Sequence, residues 1–156
     1  MTNGVQIDDR QVMIALGNLD NKKMNKAYKN ALLKSVEPIK KQTKLNLRKS
    51  GIKNVGKKYI GKYGKVYGSM ISGIKSSVDV SSAGNEWAKV HIMGEFRLKW
   101  FEKGTALRKT DKGWNRGSIS PKWFFRSAVM QKSKESQDML EDNIKESILR
   151  AYNNKK

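Results

Sequence analysis

The chain has 156 residues, enough for one domain with an ordinary core and no need of metal or disulfide staples. It has no cysteine and a single histidine, which excludes a disulfide scaffold, a thiolate zinc site and a cysteine nucleophile. Lys and Arg number 33 against 14 Asp and Glu, a formal net charge of +19, so packing many copies together calls for acidic partners or nucleic acid.

Hydrophobic residues make up 37% of the chain, a low share, but they cluster into periodic segments, so a folded protein is expected. No run approaches the roughly 18 apolar residues of a membrane span. Met1-Thr2-Asn3-Gly4 carries neither a positive nor an apolar signal region. These features lead us to expect a soluble protein made in the cytoplasm, with no membrane partner. Codon drift in an AT-rich genome accounts for part of the lysine, asparagine and isoleucine content. It does not account for the shortage of acids, which points to an anionic partner.

The segment 8–50 reads as helical. Val12, Ala15, Leu16 and Leu19 fall on one helical face, with Asp8 and Asp9 at its start. Asp20 or Asn21 is placed to cap a second helix, whose stripe is Met24, Ala27, Tyr28, Ala31, Leu32, Val36 and Ile39. Pro38 lies inside that pattern and predicts a break near Val36 and Glu37. Helix resumes through Leu45 and Leu47 and ends at Ser50, with Gly51 as a left-handed cap.

Residues 51–68 form a basic Gly/Lys/Tyr loop. Lys53, Lys57, Lys58, Lys62 and Lys65 alternate with Tyr59, Tyr63 and Tyr67 and with five glycines. Lysines neutralise phosphates, tyrosines stack on bases, and glycines let a loop follow a backbone, so Lys53, Lys57, Lys58, Tyr59, Lys62, Tyr63 and Lys65 are candidate DNA or partner contacts. The alternative is a solvated insertion whose tyrosines pack back on the domain. Arginine is scarce here, which favours unspecific phosphate attraction over base readout.

A β-hairpin is expected over 70–93, with one strand starting at Ile71 and a turn at Ser81 to Asn85. In the second strand Trp87, Lys89, His91 and Met93 alternate with Ala88, Val90 and Ile92. His91 reads as an ordinary strand histidine. Residues 94–119 give a short helix or turn carrying Phe96, Leu98, Trp100 and Phe101, then a polar loop from Ala106 to Ile119. The last helix is expected over 120–153, with Ser120 as N-cap and Pro121 at its first position. The order predicts an α+β fold in which N-terminal helices and a long C-terminal helix pack on a small antiparallel sheet.

Catalytic chemistry finds no support in these patterns. The carboxylates Asp8, Asp9, Asp79, Glu86, Glu95 and Glu102 stand at no spacing that general acid–base work demands. No Gly-Lys-Ser/Thr follows a strand at phosphate-loop spacing. The chain reads as a non-enzyme.

Trp100-Phe101-Glu102-Lys103-Gly104-Thr105, a polar loop, and then Pro121-Lys122-Trp123-Phe124-Phe125-Arg126-Ser127-Ala128 resemble the tail-completion (head-to-tail joining) proteins of long-tailed bacteriophages. In that family an aromatic-flanked Glu-x-Gly-Thr is followed by a Pro-aromatic segment and an alanine that open the last helix. The layout matches over most of the chain, and the specific residues lie within 99–128. The chain departs from the family in separating Pro121 from the aromatic pair, and in offering only Arg48-Lys49-Ser50-Gly51-Ile52 where a Thr-Gly-x-Leu pattern is usual.

The resemblance implies a virion protein of the neck, assembled in the host cytoplasm. It implies a closed ring, often six-fold in the family, between the head connector and the tail terminator or tail tube, with DNA passing through and no cofactor. Its motif residues, Glu102, Gly104, Thr105, Pro121, Trp123, Phe124 and Ala128, are then architectural. Gly104 is expected to permit a turn that Glu102 and Thr105 hold, while Trp123 and Phe124 anchor the helix start in the core. Contacts with neighbours fall to the loops at 51–68 and 106–119. A different class of reading takes the charge alone and makes the chain a stand-alone, sequence-unspecific nucleic-acid-binding protein.

Overall fold

The computed structural model describes residues 21–80 and 86–153. The helix expected over 8–19 and the hairpin turn expected at 81–85 lie outside the described residues. The elements in chain order are α1 (Asn21–Ser35), α2 (Glu37–Lys49), β1 (Tyr59–Ile60), β2 (Val66–Tyr67), a 3-10 turn (Ile71–Gly73), β3 (Lys75–Val80), β4 (Glu86–His91), α3 (Arg97–Lys103) and α4 (Phe124–Asn153). The fold is α+β.

The helical half turns on Pro38. It stands in the first turn of α2, where the missing N–H is no loss, and Val36 separates α2 from α1. The break lets two short helices lie against one long one, and α4 packs along both α1 and α2. Ala31 and Leu32 of α1, Leu47 of α2 and Ala128 of α4 are buried. Ser136 of α4 donates to the Ser35 carbonyl at 2.5 Å, stitching α4 to the end of α1. Gly51 takes φ +77 just beyond α2, the left-handed position that glycine occupies without strain.

β3 and β4 form an antiparallel hairpin in the register Lys75↔His91 through Val80↔Glu86, and both strands touch α1. Ala88 and Val90 face inward and Ile92 is buried, while Trp87 and Lys89 point outward. The first strand starts later than expected. Residues 71–73 form the 3-10 turn instead, because the backbone here meets that of Gly94 at close quarters. The Gly94 N–H donates to the Gly73 carbonyl at 3.2 Å. A Cβ on Gly73 would lie 2.4 Å from Glu95 Cβ, and one on Gly94 would lie 2.8 Å from the Gly73 oxygen. Only two glycines allow that crossing.

The core gathers Leu47, Met70, Ile74, Ile92, Leu98 and Phe124, with Ile52, Val55, Phe101 and Phe125 packed around it. It lies where α2, the 3-10 turn, α3 and the start of α4 converge.

Two further expectations about the elements need correction. The last helix opens at Phe124, not at Ser120, so Ser120 and Pro121 are not its cap and first position. Trp123 has φ +49, a left-handed backbone that no helix admits, and the residues before it pair with the end of α3 instead: Lys122 N–H to the Phe101 carbonyl at 2.8 Å and Trp123 N–H to the Glu102 carbonyl at 3.4 Å. Residues 51–68 are also not a plain loop. β1 and β2 pair antiparallel, Tyr59 opposite Tyr67 and Ile60 opposite Val66, into a small ribbon. Gly64 at φ +74 and the Gly61 N–H to Lys65 carbonyl bond of 2.9 Å close its tip.

Candidate functional site

The residues 102–128 come together as one unit. Gly104 has φ +74, and a Cβ there would lie 2.6 Å from the Ile119 carbonyl oxygen and 3.0 Å from Pro121 Cδ. Position 104 therefore belongs to glycine on both conformational and steric grounds. Thr105 secures the same crossing: its N–H donates to the Ile119 carbonyl and its hydroxyl accepts from the Ile119 N–H, both at 3.0 Å. Glu102 does something different from the expected bracing of this turn. Buried at the end of α3, it accepts from the N–H groups of Phe125 and Arg126, both at 2.9 Å, and so caps α4 from 23 residues away.

Phe124, 2% exposed, and Ala128, fully buried, anchor the start of α4. Trp123 does not. It is 42% exposed, and its ring lies 5.6 Å from the Arg126 guanidinium carbon. The motif is thus a clamp joining α3, the 119–123 segment and the first turn of α4, with one large aromatic left at the surface.

Between Thr105 and Ile119 the polar loop is folded as an arm. Arg108 and Gly117, Arg108 and Arg116, and Thr110 and Trp114 are joined by backbone hydrogen bonds of 2.7–3.1 Å, with Lys109 bridged to Asn115. Leu107 is 55% and Trp114 73% exposed among Arg108, Lys109, Lys112 and Arg116. Pairing of the arm escapes the sequence because its two sides show no apolar alternation.

The candidate contact residues lie just before the ribbon and within it. Lys53, Lys57, Lys58 and Tyr59 line a cleft of about 320 Å³, joined by Asn54, Ile60, Met70, Arg97 and Phe101. Lys62, Tyr63 and Lys65 stand at the ribbon tip, where Tyr63 is 90% exposed. The seven residues therefore divide into a cleft group and a tip group.

What the sequence did not reveal is the contribution of α3. Phe96, just before α3, and Trp100 within it are four positions apart, so they share a face. That face continues the tyrosines of the ribbon: ring centroids run Tyr59–Tyr67 at 5.7 Å, Tyr67–Phe96 at 6.0 Å and Phe96–Trp100 at 5.2 Å. The spacing of Phe96 and Trp100 was visible; their meeting with Tyr67 was not.

Arg97 joins the two parts. Its guanidinium carbon lies 4.7 Å from the Tyr59 ring centre, Nε donates to Glu95 Oε1 at 2.8 Å, and a terminal nitrogen donates to the Gly68 carbonyl at 3.3 Å. The side-chain hydrogen bond from Arg97, helped by the N–H and charge of the same residue, holds the Glu95 carboxyl below its ordinary value against the opposing effect of burial.

The electrostatics of this face are one-sided. Residues 51–70 contain five lysines and no acid. The acids of 94–104 are Glu95 and Glu102, both buried and both already bonded within the protein. Lys53, Lys57, Lys58, Lys62 and Lys65 pair with no acid among the described residues.

His91 lies half-buried on β4 opposite Lys75. No group of three or more His, Asp or Glu side chains is placed to hold a metal among the described residues, and none of their helices is long and apolar enough to cross a membrane. No family model matches the chain, and no curated protein or solved structure matches it either.

Proposed function

We propose that the chain is a non-catalytic structural subunit of a phage neck, forming a ring that joins the head connector to the tail and lets DNA pass. What supports this reading is the clamp at 102–128. Apart from Trp123, the motif residues that carry the family resemblance occupy interlocking positions: Gly104 under Ile119 and Pro121, Glu102 on the first turn of α4, and Phe124 and Ala128 in the core. The arm between Thr105 and Ile119 rises from this clamp and leaves Trp114 exposed. A head-to-tail ring needs such a projection, because each subunit must offer its neighbour a patch unlike the one it receives.

The test is loss of the protein during phage growth. A nonsense mutation in its gene should leave filled heads and finished tails that do not join, and purified protein should reconnect them. Whole particles formed without it would overturn the assignment.

A second reading, a stand-alone and sequence-unspecific nucleic-acid-binding protein, is favoured by the acid-free lysine face of the ribbon. Lysines attract phosphates without reading bases. Tight, salt-sensitive DNA binding by a monomer that never enters particles would favour it over the neck assignment.

A further inference from the structure

We infer that the face built by β1, β2 and α3 binds single-stranded nucleic acid, with the Lys53–Lys57–Lys58 cleft taking backbone phosphate and the rings of Tyr59, Phe96 and Trp100 taking bases. This rests on the second reading above and narrows it, since a lysine surface alone suits a duplex equally well.

The rings make the difference. Tyr59, Phe96 and Trp100 are 43%, 47% and 43% exposed and are linked through Tyr67 into one aromatic row, whose Tyr59 end lies at the lysine cleft. An exposed aromatic row is a cost to a soluble protein unless something covers it. A duplex cannot cover it, because its base faces are already stacked on one another. A single strand can, because every unstacked base offers a π-face and pairs with an aromatic ring whatever its identity.

The supports are arranged to keep the rings in place. Tyr67 is half-buried between Tyr59 and Phe96 and touches both rings. Arg97 covers one side of Tyr59 and is itself fixed by Glu95 and the Gly68 carbonyl. Phe96 and Trp100 meet edge to face at 84°, which holds each at a set angle.

The phosphate side lies next to this row, because Tyr59 and Arg97 both line the lysine cleft. Arg97 is already committed to Glu95, so the cleft's attraction comes from Lys53, Lys57 and Lys58. Their point charges favour a backbone without choosing a sequence. Stacking plus unspecific charge is the combination of a general single-strand binder.

Fluorescence anisotropy on the full chain tests this, using labelled oligothymidylate of about 20 nucleotides and a duplex of equal length across a salt series. The single strand should bind roughly tenfold more tightly than the duplex at moderate salt. Phe96→Ala and Trp100→Ala should each weaken single-strand binding by about 5- to 100-fold while duplex binding stays within about twofold. Trp100→Phe, which keeps a ring and the packing beneath it, should stay within a few-fold of wild type, so a misfolded alanine variant does not decide the matter. The double change Lys57→Gln and Lys58→Gln should weaken both ligands and flatten the single-strand salt slope by about 1.4, at ~0.7 per phosphate contact.

Equal affinity for the two DNAs overturns the inference while leaving the broader nucleic-acid reading in place. Alanine variants that bind single strands like wild type overturn it as well. So does polyglutamate competing as strongly as oligothymidylate at equal charge, which would make the face a binder of acidic chains. Absence of binding to either DNA at low salt removes both readings.

Discussion

Glu102 and Phe125 are 23 residues apart, yet the carboxylate of the first accepts the backbone N–H of the second at 2.9 Å, and its other oxygen takes the Arg126 N–H at the same distance. A helix of 30 residues begins with N–H groups that have no partner of their own. Here the partner is a buried acid at the end of another helix. Glu102→Ala removes both acceptors and should cost on the order of 3 kcal/mol, or roughly 6–12 °C in Tm. Glu102→Gln keeps one acceptor oxygen and should cost about half as much. Thermal unfolding followed by far-UV circular dichroism measures both; a Glu102→Gln variant as stable as wild type beside a destabilised Glu102→Ala would mean that the side chain acts through packing alone.

Gly104 bears the strictest constraint in the clamp. Its φ of +74 is unfavourable to any side chain, and the Ile119 oxygen stands 2.6 Å from where a Cβ would sit. Gly104→Ala therefore combines a backbone penalty of about 1 kcal/mol with a clash that must push the 119–121 segment away. A loss of at least about 2 kcal/mol is expected. Gly113 also has positive φ, at +78, but a Cβ there meets nothing within 4 Å, so Gly113→Ala should cost only the backbone penalty of about 1 kcal/mol. Chemical denaturation of the two variants separates clash from conformation.

The contrast between these positions shows what a sequence discloses. The break at Pro38, the cap at Gly51 and the turn at Gly104 were readable because each is dictated by one residue's own backbone chemistry. The division of the second strand into two faces was readable from strict alternation, though which face turns inward was not. By contrast, the cap supplied by Glu102 depends on two helix ends meeting in space, and the bond from Ser136 to Ser35 joins residues 101 positions apart. The ribbon escaped because two-residue strands are shorter than any alternation window. The aromatic row escaped because its members come from two elements whose approach is set by the core beneath them, around Met70, Leu98 and Phe101. No local signal marks Trp123 as left-handed.

Trp123 and Phe124 are neighbours with opposite roles, and substitution should separate them. Phe124 is 2% exposed in the main core, so Phe124→Ala should cost about 3–5 kcal/mol through lost burial and the cavity left behind. Trp123 is 42% exposed with φ +49. Trp123→Gly relieves a backbone strain of about 1–2 kcal/mol while losing partial packing and the contact with Arg126, so the net change should be within about 1 kcal/mol. Urea unfolding of both variants checks this. A large loss from Trp123→Gly would restore the tryptophan as an anchor.

Glu95 makes the stability of the aromatic face depend on pH. The hydrogen bond from Arg97 holds its carboxyl below the ordinary value of 4.5, so the folded state keeps it ionised to lower pH than the unfolded chain does. The sign follows from linkage. The unfolded chain binds a proton first as pH falls, so this contribution is fully present above about 4.5 and is lost as pH drops through the folded value. Glu95→Gln stays neutral throughout and mimics the protonated acid. Wild type should therefore exceed Glu95→Gln in stability at pH 7, and the gap should narrow as the solution is taken below the ordinary carboxyl range. Because the other acids titrate in both proteins, the difference between them isolates Glu95. Guanidinium unfolding of the pair at neutral and acid pH measures it, and a gap that stays constant would show that the charge on Glu95 contributes nothing to holding Arg97 over Tyr59.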